Sequence, residues 1–150
     1  MNKIRGVTLV EVMIVVAIIA FLAVIAIPNY LKFVARSKRA EAQVNLAALY
    51  GAEKIYWGDQ GSYTSVLQGV GSLGWKPEGK RYYTYGFSGA EGVNYIRGSL
   101  DADIAALAQS HADKNTFVVI AIADIDGDGF SDVIAINENR ELVILQDDLA

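Results

Sequence analysis

Residues 7–27 read VTLVEVMIVVAIIAFLAVIAI, and this stretch decides the architecture of the chain. As an α-helix it rises roughly 31 Å, about the thickness of the hydrocarbon core of a bilayer. It is longer than the apolar part of a secretory signal peptide, and no small-x-small cleavage motif follows it before Pro28. We therefore predict a retained membrane-spanning helix over residues 7–28.

The charge pattern around this helix does not orient it in the membrane. Two basic residues, Lys3 and Arg5, precede the apolar stretch. A basic cluster follows it, made of Lys32, Arg36, Lys38 and Arg39. Because positive charge flanks both ends, the positive-inside rule gives no topology.

Glu11 is the one charged residue inside the apolar stretch. An ionised carboxylate at that depth costs a few kcal/mol or more unless it is paired or protonated. The apolar stretch offers no partner, so we predict that Glu11 pairs with a group on another subunit. A tolerated, isolated charge is the alternative interpretation.

Residues 5–11, RGVTLVE, resemble the prepilin peptidase site of type IV pilins and type II secretion pseudopilins. The resemblance rests on leader charge, Gly6 before an apolar residue, Glu11 five positions after Gly6, the apolar span and Pro28. It implies cleavage between Gly6 and Val7 on the cytoplasmic side and methylation of the new amino group of Val7. Valine departs from the usual phenylalanine at this position.

The resemblance also implies how the subunit is used. The ammonium of Val7 in one subunit would neutralise Glu11 in the next, and the C-terminal domain would lie outside the cytoplasm. The implied partners are related pilins, the prepilin peptidase, the pilus assembly platform and inner-membrane lipids before assembly, with the mature form in an extracellular filament. The helix near Pro28, where we expect a kink over residues 25–28, would loosen during assembly; a static kink is the alternative.

The remainder of the chain predicts an α+β fold of the type IV pilin kind. Spacings of three and four between apolar residues indicate an amphipathic helix over residues 29–58 that ends near residues 57–61. A glycine-rich connecting loop over residues 59–81, with a short helical turn near residues 65–68, leads to a sheet domain over residues 82–150. We expect about four antiparallel strands there, or five, packed on the helix. The segments with strand character are 82–87, 93–100, 116–124, 132–137 and 141–146.

Residues 124–132 read DIDGDGFSD and form an aspartate-rich loop. Alternating carboxylates with intervening glycines suit Ca²⁺, which prefers oxygen ligands. The candidate ligands are Asp124, Asp126, Asp128 and Asp132. Ala135 stands where an EF-hand needs a bidentate glutamate, so an EF-hand is excluded; the loop resembles the calcium loops of integrin-type propeller repeats. A metal-free hairpin turn is the alternative.

Composition narrows the function further. The net charge is −4 with two basic residues in the leader, so the chain without residues 1–6 carries −4 − 2 = −6, which argues against sequence-specific nucleic-acid binding. There is no cysteine and one histidine, His111, so no thiol or Ser-His-Asp chemistry is expected and we predict no enzyme. Calcium would take the place of the disulfide that closes the C-terminal region of many pilins, and no cofactor is otherwise required.

Three functions compete at this stage. The leading interpretation is a structural subunit of a type IV pilus that serves adhesion, motility or DNA uptake. The second is a pseudopilin of type II secretion, which forms a periplasmic pseudopilus. The third is a calcium-binding module tethered to the membrane by an uncleaved anchor, against which Glu11 argues, because a plain anchor gains nothing from a buried charge.

Overall fold

The computed structural model describes residues 6–149. Its elements are one long helix, a short 3₁₀ helix and six strands. They are α1 Leu9–Gln60, β1 Thr84–Gly86, β2 Tyr95–Ile96, the 3₁₀ helix Ile104–Gln109, β3 His111–Ala112, β4 Phe117–Ala123, β5 Asp132–Asn137 and β6 Leu142–Gln146. The chain divides into two compact units, with the boundary between Val34 and Ala35 inside α1.

The first unit is the apolar part of α1. By length and composition it can cross a membrane, and its most apolar window contains no buried residue. Pro28 lies inside the helix, which continues past it, and the side-chain amide of Asn29 donates a hydrogen bond to the carbonyl of Ile25 at 3.1 Å. The loosening expected at Pro28 stays a prediction. The leader, residues 1–6, lies outside the described residues except for Gly6.

In the second unit, the remaining part of α1 packs on the sheet, as the apolar periodicity predicts. Its buried side chains are Ala35, Ala42, Leu46, Leu49 and Glu53. The helix ends at Gln60, because Gly61 adopts a φ of 72° and its N–H donates to the carbonyl of Trp57 at 2.8 Å. The end therefore lies two residues beyond the predicted residue 58 and inside the predicted range 57–61.

The sheet is antiparallel, with strand order β2-β1-β4-β5-β6. All five segments with strand character contain a strand, and a sixth strand, β3, pairs with the first two residues of β4. The sheet therefore has one strand more than the upper expected count of five, because the two residues of β3 are too few to give a strand pattern in the sequence.

Both faces of the sheet are covered near its centre. On one face Tyr83, Phe117 and Ile134 pack with the buried side chains of α1. On the other face Ile120 and Val133 pack with Leu107 of the 3₁₀ helix. The sheet thus forms the middle layer of the second unit.

The connecting loop contains bends and turns, so the predicted helical turn at residues 65–68 is wrong. The backbone N–H groups of Leu67 and Gln68 both donate to the carbonyl of Val93, at 2.8 and 3.2 Å. These long-range bonds take the place of the local i→i−3 or i→i−4 bonds that a helical turn would need.

Candidate functional site

A capping box forms the beginning of α1. The backbone N–H and the hydroxyl of Thr8 donate to one oxygen of Glu11, at 2.8 and 2.6 Å, and the N–H of Glu11 donates to the Thr8 hydroxyl at 3.2 Å. The pattern T-x-x-E satisfies two N–H groups that the first turn of a helix otherwise leaves free.

This pair corrects the prediction that the apolar stretch offers Glu11 no partner. Thr8 binds the carboxylate through hydrogen bonds but leaves its charge in place. Neutralisation by an ammonium group of another subunit stays a prediction, as do cleavage between Gly6 and Val7 and methylation of Val7.

The first unit presents apolar side chains around the whole helix. The exposed large side chains include Leu9, Met13, Ile18, Phe21, Ile25 and Phe33. A soluble helix keeps an apolar stripe against a core and a polar face against water, so an apolar surface on all sides needs lipid or other helices around it.

The basic cluster separates into two pairs in the structure. Lys38 and Arg39 bind groups of the sheet domain: Lys38 Nζ donates to the carbonyl of Ile125 at 2.6 Å, and Arg39 binds Asp132 and Asp147. Lys32 and Arg36 are exposed, and neither takes part in a salt bridge within residues 6–149. Two of the four positive charges are thus available for lipid or a second molecule.

Asp132 is the centre of a buried polar network. Arg39 donates to both of its oxygens, and the hydroxyl of Tyr83 donates to Oδ2 at 2.7 Å. Burial raises the pKa of Tyr83 above its usual range, and the hydrogen bond to Asp132 raises it further. In Asp147, the hydrogen bond from Arg39 lowers the pKa. This network ties β1, β5 and the C-terminus to α1.

The aspartate loop gathers four carboxylates, and Asp132 is not among them. One oxygen each from Asp124, Asp126, Asp128 and Asp148 lies within 4.8 Å of the others. Asp132 is the first residue of β5, fully buried, and its oxygens bind Arg39 and Tyr83. The structure thus groups Asp148, and not Asp132, with the other three carboxylates of the predicted ligand set.

Hydrogen bonds within the loop hold the carboxylates in position. Both oxygens of Asp124 accept backbone N–H groups, from Gly127 at 2.6 Å and Gly129 at 2.9 Å. These glycines have φ values of 88° and 91°, which favour glycine. Asp126 and Asp128 each accept one N–H through Oδ1 only. One oxygen of each therefore stays free of the loop's own hydrogen bonds.

Asp148 has a buried oxygen that bears on whether the four carboxylates can hold a cation. Its Oδ2 accepts the N–H of Ile125 at 2.8 Å, whereas its Oδ1 is buried and has no hydrogen-bond partner among the described residues. Burial raises the pKa of Asp148, and the charges of Asp126, Asp128 and Asp124 raise it further. Four carboxylates with an orphaned oxygen fit a hard divalent cation such as Ca²⁺.

The sequence carried only a weak signal for Asp148. It lies sixteen residues beyond Asp132, in the pair Asp147 and Asp148 that follows β6. The pairing of β5 with β6 brings that end back to the beginning of β5, and hence to the loop. A search for carboxylates at hairpin-related positions would have found it.

Glu53, like Asp148, is an ionisable group of note that the sequence analysis did not identify. It is fully buried on α1, its Oε2 accepts the N–H of Thr64 at 3.2 Å, and its Oε1 has no partner within the described part of the chain. Burial raises its pKa to about 7. Its spacing after Leu46 and Leu49 puts it on the buried face, which is the signal that could have identified it.

Two kinds of comparison with known proteins point to similar relatives. Residues 1–27 match the family described as the prokaryotic N-terminal methylation motif. The chain is 41% identical over 122 residues to the type IV major pilin protein PilA of Myxococcus xanthus, a match that covers 81% of this chain and 54% of that protein.

Two further relatives match about half of the chain. The type IV wide pilus major component PilA4 of Thermus thermophilus is 46% identical over 79 residues, 51% of this chain and 58% of the relative. The type II secretion system core protein G of Klebsiella pneumoniae is 34% identical over 73 residues, 49% of this chain and 52% of the relative. The chain spans little more than half the length of each of these three relatives.

The methylation motif, the exposed apolar helix followed by an antiparallel sheet, and the long match to a major pilin all agree. The match to the secretion protein is shorter and lower in identity. The chain is therefore similar to type IV pilins over most of its length, and more similar to the major pilins than to the type II secretion proteins.

Proposed function

We propose that this chain is the structural subunit of a type IV pilus. It is inserted in the inner membrane as a precursor with its C-terminal domain outside, cleaved between Gly6 and Val7, and methylated on Val7. It then polymerises through α1 into an extracellular filament that serves adhesion, motility or DNA uptake. Its partners are related pilins, the prepilin peptidase and the assembly platform, and its own role is structural, not enzymatic.

One observation carries the proposal: α1 is apolar on all sides through its first unit. Lipid covers such a helix before assembly, and neighbouring copies of the same helix cover it in a filament. A membrane-tethered module would need lipid around this helix but no neighbouring copies of it.

Glu11 distinguishes the filament subunit from a simple anchor. After cleavage the ammonium of Val7 would lie at the membrane end of the helix, and Glu11 lies one turn further along. A neighbouring subunit displaced along the helix axis can bring the two charges together. Such a buried pair sets the register between subunits more than it stabilises them.

The test is the N-terminal mass of this protein in filaments sheared from cells. The proposed subunit should begin at Val7 and carry one added methyl group. Mature protein found only in membranes would favour the secretion pseudopilin, and an intact leader would favour the tethered module. Either of those results would contradict the proposal.

A second function is favoured by the orphaned oxygen of Asp148. We propose that Ca²⁺ binds Asp124, Asp126, Asp128 and Asp148 and clamps the chain end after β6 to the loop before β5. The clamp would do in this cysteine-free chain what a disulfide does elsewhere, because it joins segments that are distant in sequence.

A further inference from the structure

Strand β6 is an uncovered apolar edge of the sheet. It pairs with β5 on one side, and nothing pairs with its other side within residues 6–149. Its four aliphatic residues, Leu142, Val143, Ile144 and Leu145, are each between 38% and 48% exposed. Soluble proteins usually protect such edges with charge, proline or a covering element, because a bare apolar edge invites association.

The aliphatic side chains of β6 lie on both faces of the sheet. Leu142 is paired with Ile136 and Ile144 with Ile134, on the face that packs against α1. Val143 is paired with Ala135, on the opposite face. A partner that covers β6 must therefore be apolar and must wrap around the edge.

The far end of β6 carries a concentration of negative charge. Asp147 and Asp148 follow directly, and the carboxylate of Asp148 lies close to those of Asp124, Asp126 and Asp128 in the aspartate loop. None of these four clustered carboxylates takes part in a salt bridge within the described part of the chain. With one divalent cation bound the cluster would still carry −4 + 2 = −2. The docking surface is thus apolar along its length and acidic at one end.

One segment of the same chain has the complementary character. Residues 30–36 of α1 read YLKFVAR, and the side chains of Lys32, Phe33 and Arg36 are exposed. Phe33 lies three residues before Arg36 and Lys32 lies four before it, so the three share one helix face. Lys32 and Arg36 are the two members of the basic cluster that have no carboxylate partner within residues 6–149.

We propose that β6 and its acidic end form the surface on which one subunit binds residues 30–36 of a second copy. Phe33 of the second copy packs against the aliphatic edge, and its Lys32 and Arg36 face the carboxylates beyond Leu145. This assignment rests on the proposed filament function and names the contact between subunits that it requires.

The contact joins two different surfaces of the same chain. Such a heterologous interface can repeat without closing, which is the geometry that an open helical filament needs. The opposite charges also favour binding of residues 30–36 at the acidic end of β6 over binding at the Leu142 end.

The first test uses the unmodified protein and a zero-length carbodiimide. This reagent activates a carboxyl group, and the amine of Lys32 then forms an amide with it, with net loss of water. After removal of divalent ions by a chelator, mass spectrometry of sheared filaments should find Lys32 joined to Asp126, Asp128, Asp147 or Asp148. The same treatment of unassembled subunits in membranes should not give these products.

The outcomes separate the two proposals. Filaments that contain this protein but lack any such product overturn the contact and leave the filament function intact. Products that also form in unassembled subunits overturn it too, because the contact would then lie within one copy. A chain that never enters filaments overturns the function and the contact together.

The second test introduces pairs of cysteines, which can be read without interference because the chain itself has none. Phe33→Cys combined with Leu145→Cys should give disulfide-linked ladders in filaments, whereas each single variant should not. The matched control combines Phe33→Cys with Val70→Cys, because Val70 is fully exposed in the connecting loop, away from β6 in sequence. Equal ladders from the control pair would contradict the assignment.

The third test examines the charges of Lys32 and Arg36 in the double cysteine variant. Adding Lys32→Gln and Arg36→Gln to the Phe33→Cys, Leu145→Cys pair should lower the ladder yield severalfold and make it insensitive to salt. An unchanged yield together with weaker retention of the precursor in membranes would show that these residues bind lipid headgroups, and would overturn their assignment to the acidic end of β6.

Discussion

Arg39 of α1 binds Asp132 of β5 through two parallel hydrogen bonds, from Nε to Oδ2 at 3.1 Å and from Nη2 to Oδ1 at 2.6 Å. The Asp132 side chain is fully buried and the Arg39 side chain is only 14% exposed. The planar fork of arginine matches both oxygens, so the pair fixes the angle of the helix on the sheet as well as its distance.

Removing one partner of this pair should destabilise the sheet domain strongly. In Arg39→Gln the charge of Asp132 stays buried with only the Tyr83 hydroxyl and a backbone N–H near it. We expect a loss of about 3–5 kcal/mol in the free energy of unfolding. Urea denaturation of the full chain in detergent, followed by near-ultraviolet circular dichroism, measures it.

The matched control is Arg97→Gln. It breaks an ion pair with Glu91 in which both side chains are largely exposed, so the expected loss is below about 1 kcal/mol. Equal losses in the two variants would contradict the structural role assigned to Asp132.

Glu53 should make stability depend on pH near neutrality. Its pKa is about 7 in the folded chain against an ordinary value of 4.5, so the folded state binds more protons than the unfolded state between these values. The free energy of unfolding therefore falls as the pH rises from 4.5 to 7. Above pH 7 the contribution of Glu53 no longer changes with pH. Glu53→Gln should remove the fall and add about 3 kcal/mol at pH 8, with little effect at pH 4.

This comparison needs a glutamate that is exposed. Glu78→Gln in the connecting loop changes the same group at the surface and should leave the pH profile unchanged. A profile of Glu53→Gln that falls between pH 4.5 and 7 as steeply as that of the unmodified chain would show that another group titrates there.

Calcium should stabilise the sheet domain through Asp148 and not through Asp132. At a free concentration one hundred times its Kd, a ligand bound only to the folded state adds about 2.7 kcal/mol. Differential scanning calorimetry with and without Ca²⁺ should show a rise in Tm that Asp126→Ala and Asp148→Asn abolish. Asp132→Asn should start from a lower Tm and keep the rise.

A rise that disappears in Asp132→Asn and persists in Asp148→Asn would restore the ligand set predicted from the loop sequence. The absence of any rise in the unmodified chain would remove the calcium clamp from the proposed function.

Glu11 should act in assembly through its charge, and Thr8 should contribute only to the helix end. Glu11→Ala subunits should be cleaved and inserted but should enter filaments poorly, because the ammonium of Val7 then lacks its partner. Thr8→Val removes the capping hydroxyl, a loss of about 1 kcal/mol for the first turn, and should leave filament yield nearly unchanged. Immunoblots of membrane and sheared fractions measure both.

Normal incorporation of Glu11→Ala would remove the charge pairing from the proposal. Failure of Thr8→Val to assemble, with Glu11 intact, would show that the capping box itself is required.

The sequence by itself determined the class of this protein. The deciding pattern is local: twenty-one consecutive residues with one charge, preceded by Gly6 and followed by Pro28. A local pattern can be recognised in the sequence without knowledge of the fold. The end of α1 and the strands β4, β5 and β6 were predictable for the same reason, since periodicity, turn residues and apolar runs act over a few residues.

Only the tertiary structure decided which charges meet. Asp132 and Asp148 are both aspartates beside the same hairpin, and nothing local says that Arg39 binds the first while the second turns toward Asp124. The burial of Glu53 and the exposure of β6 likewise depend on which elements cover them. These pairings and this burial follow from contacts between residues tens of positions apart in the sequence. The energy of a charge or of an apolar side chain there depends on its neighbours in space and not on its neighbours in sequence.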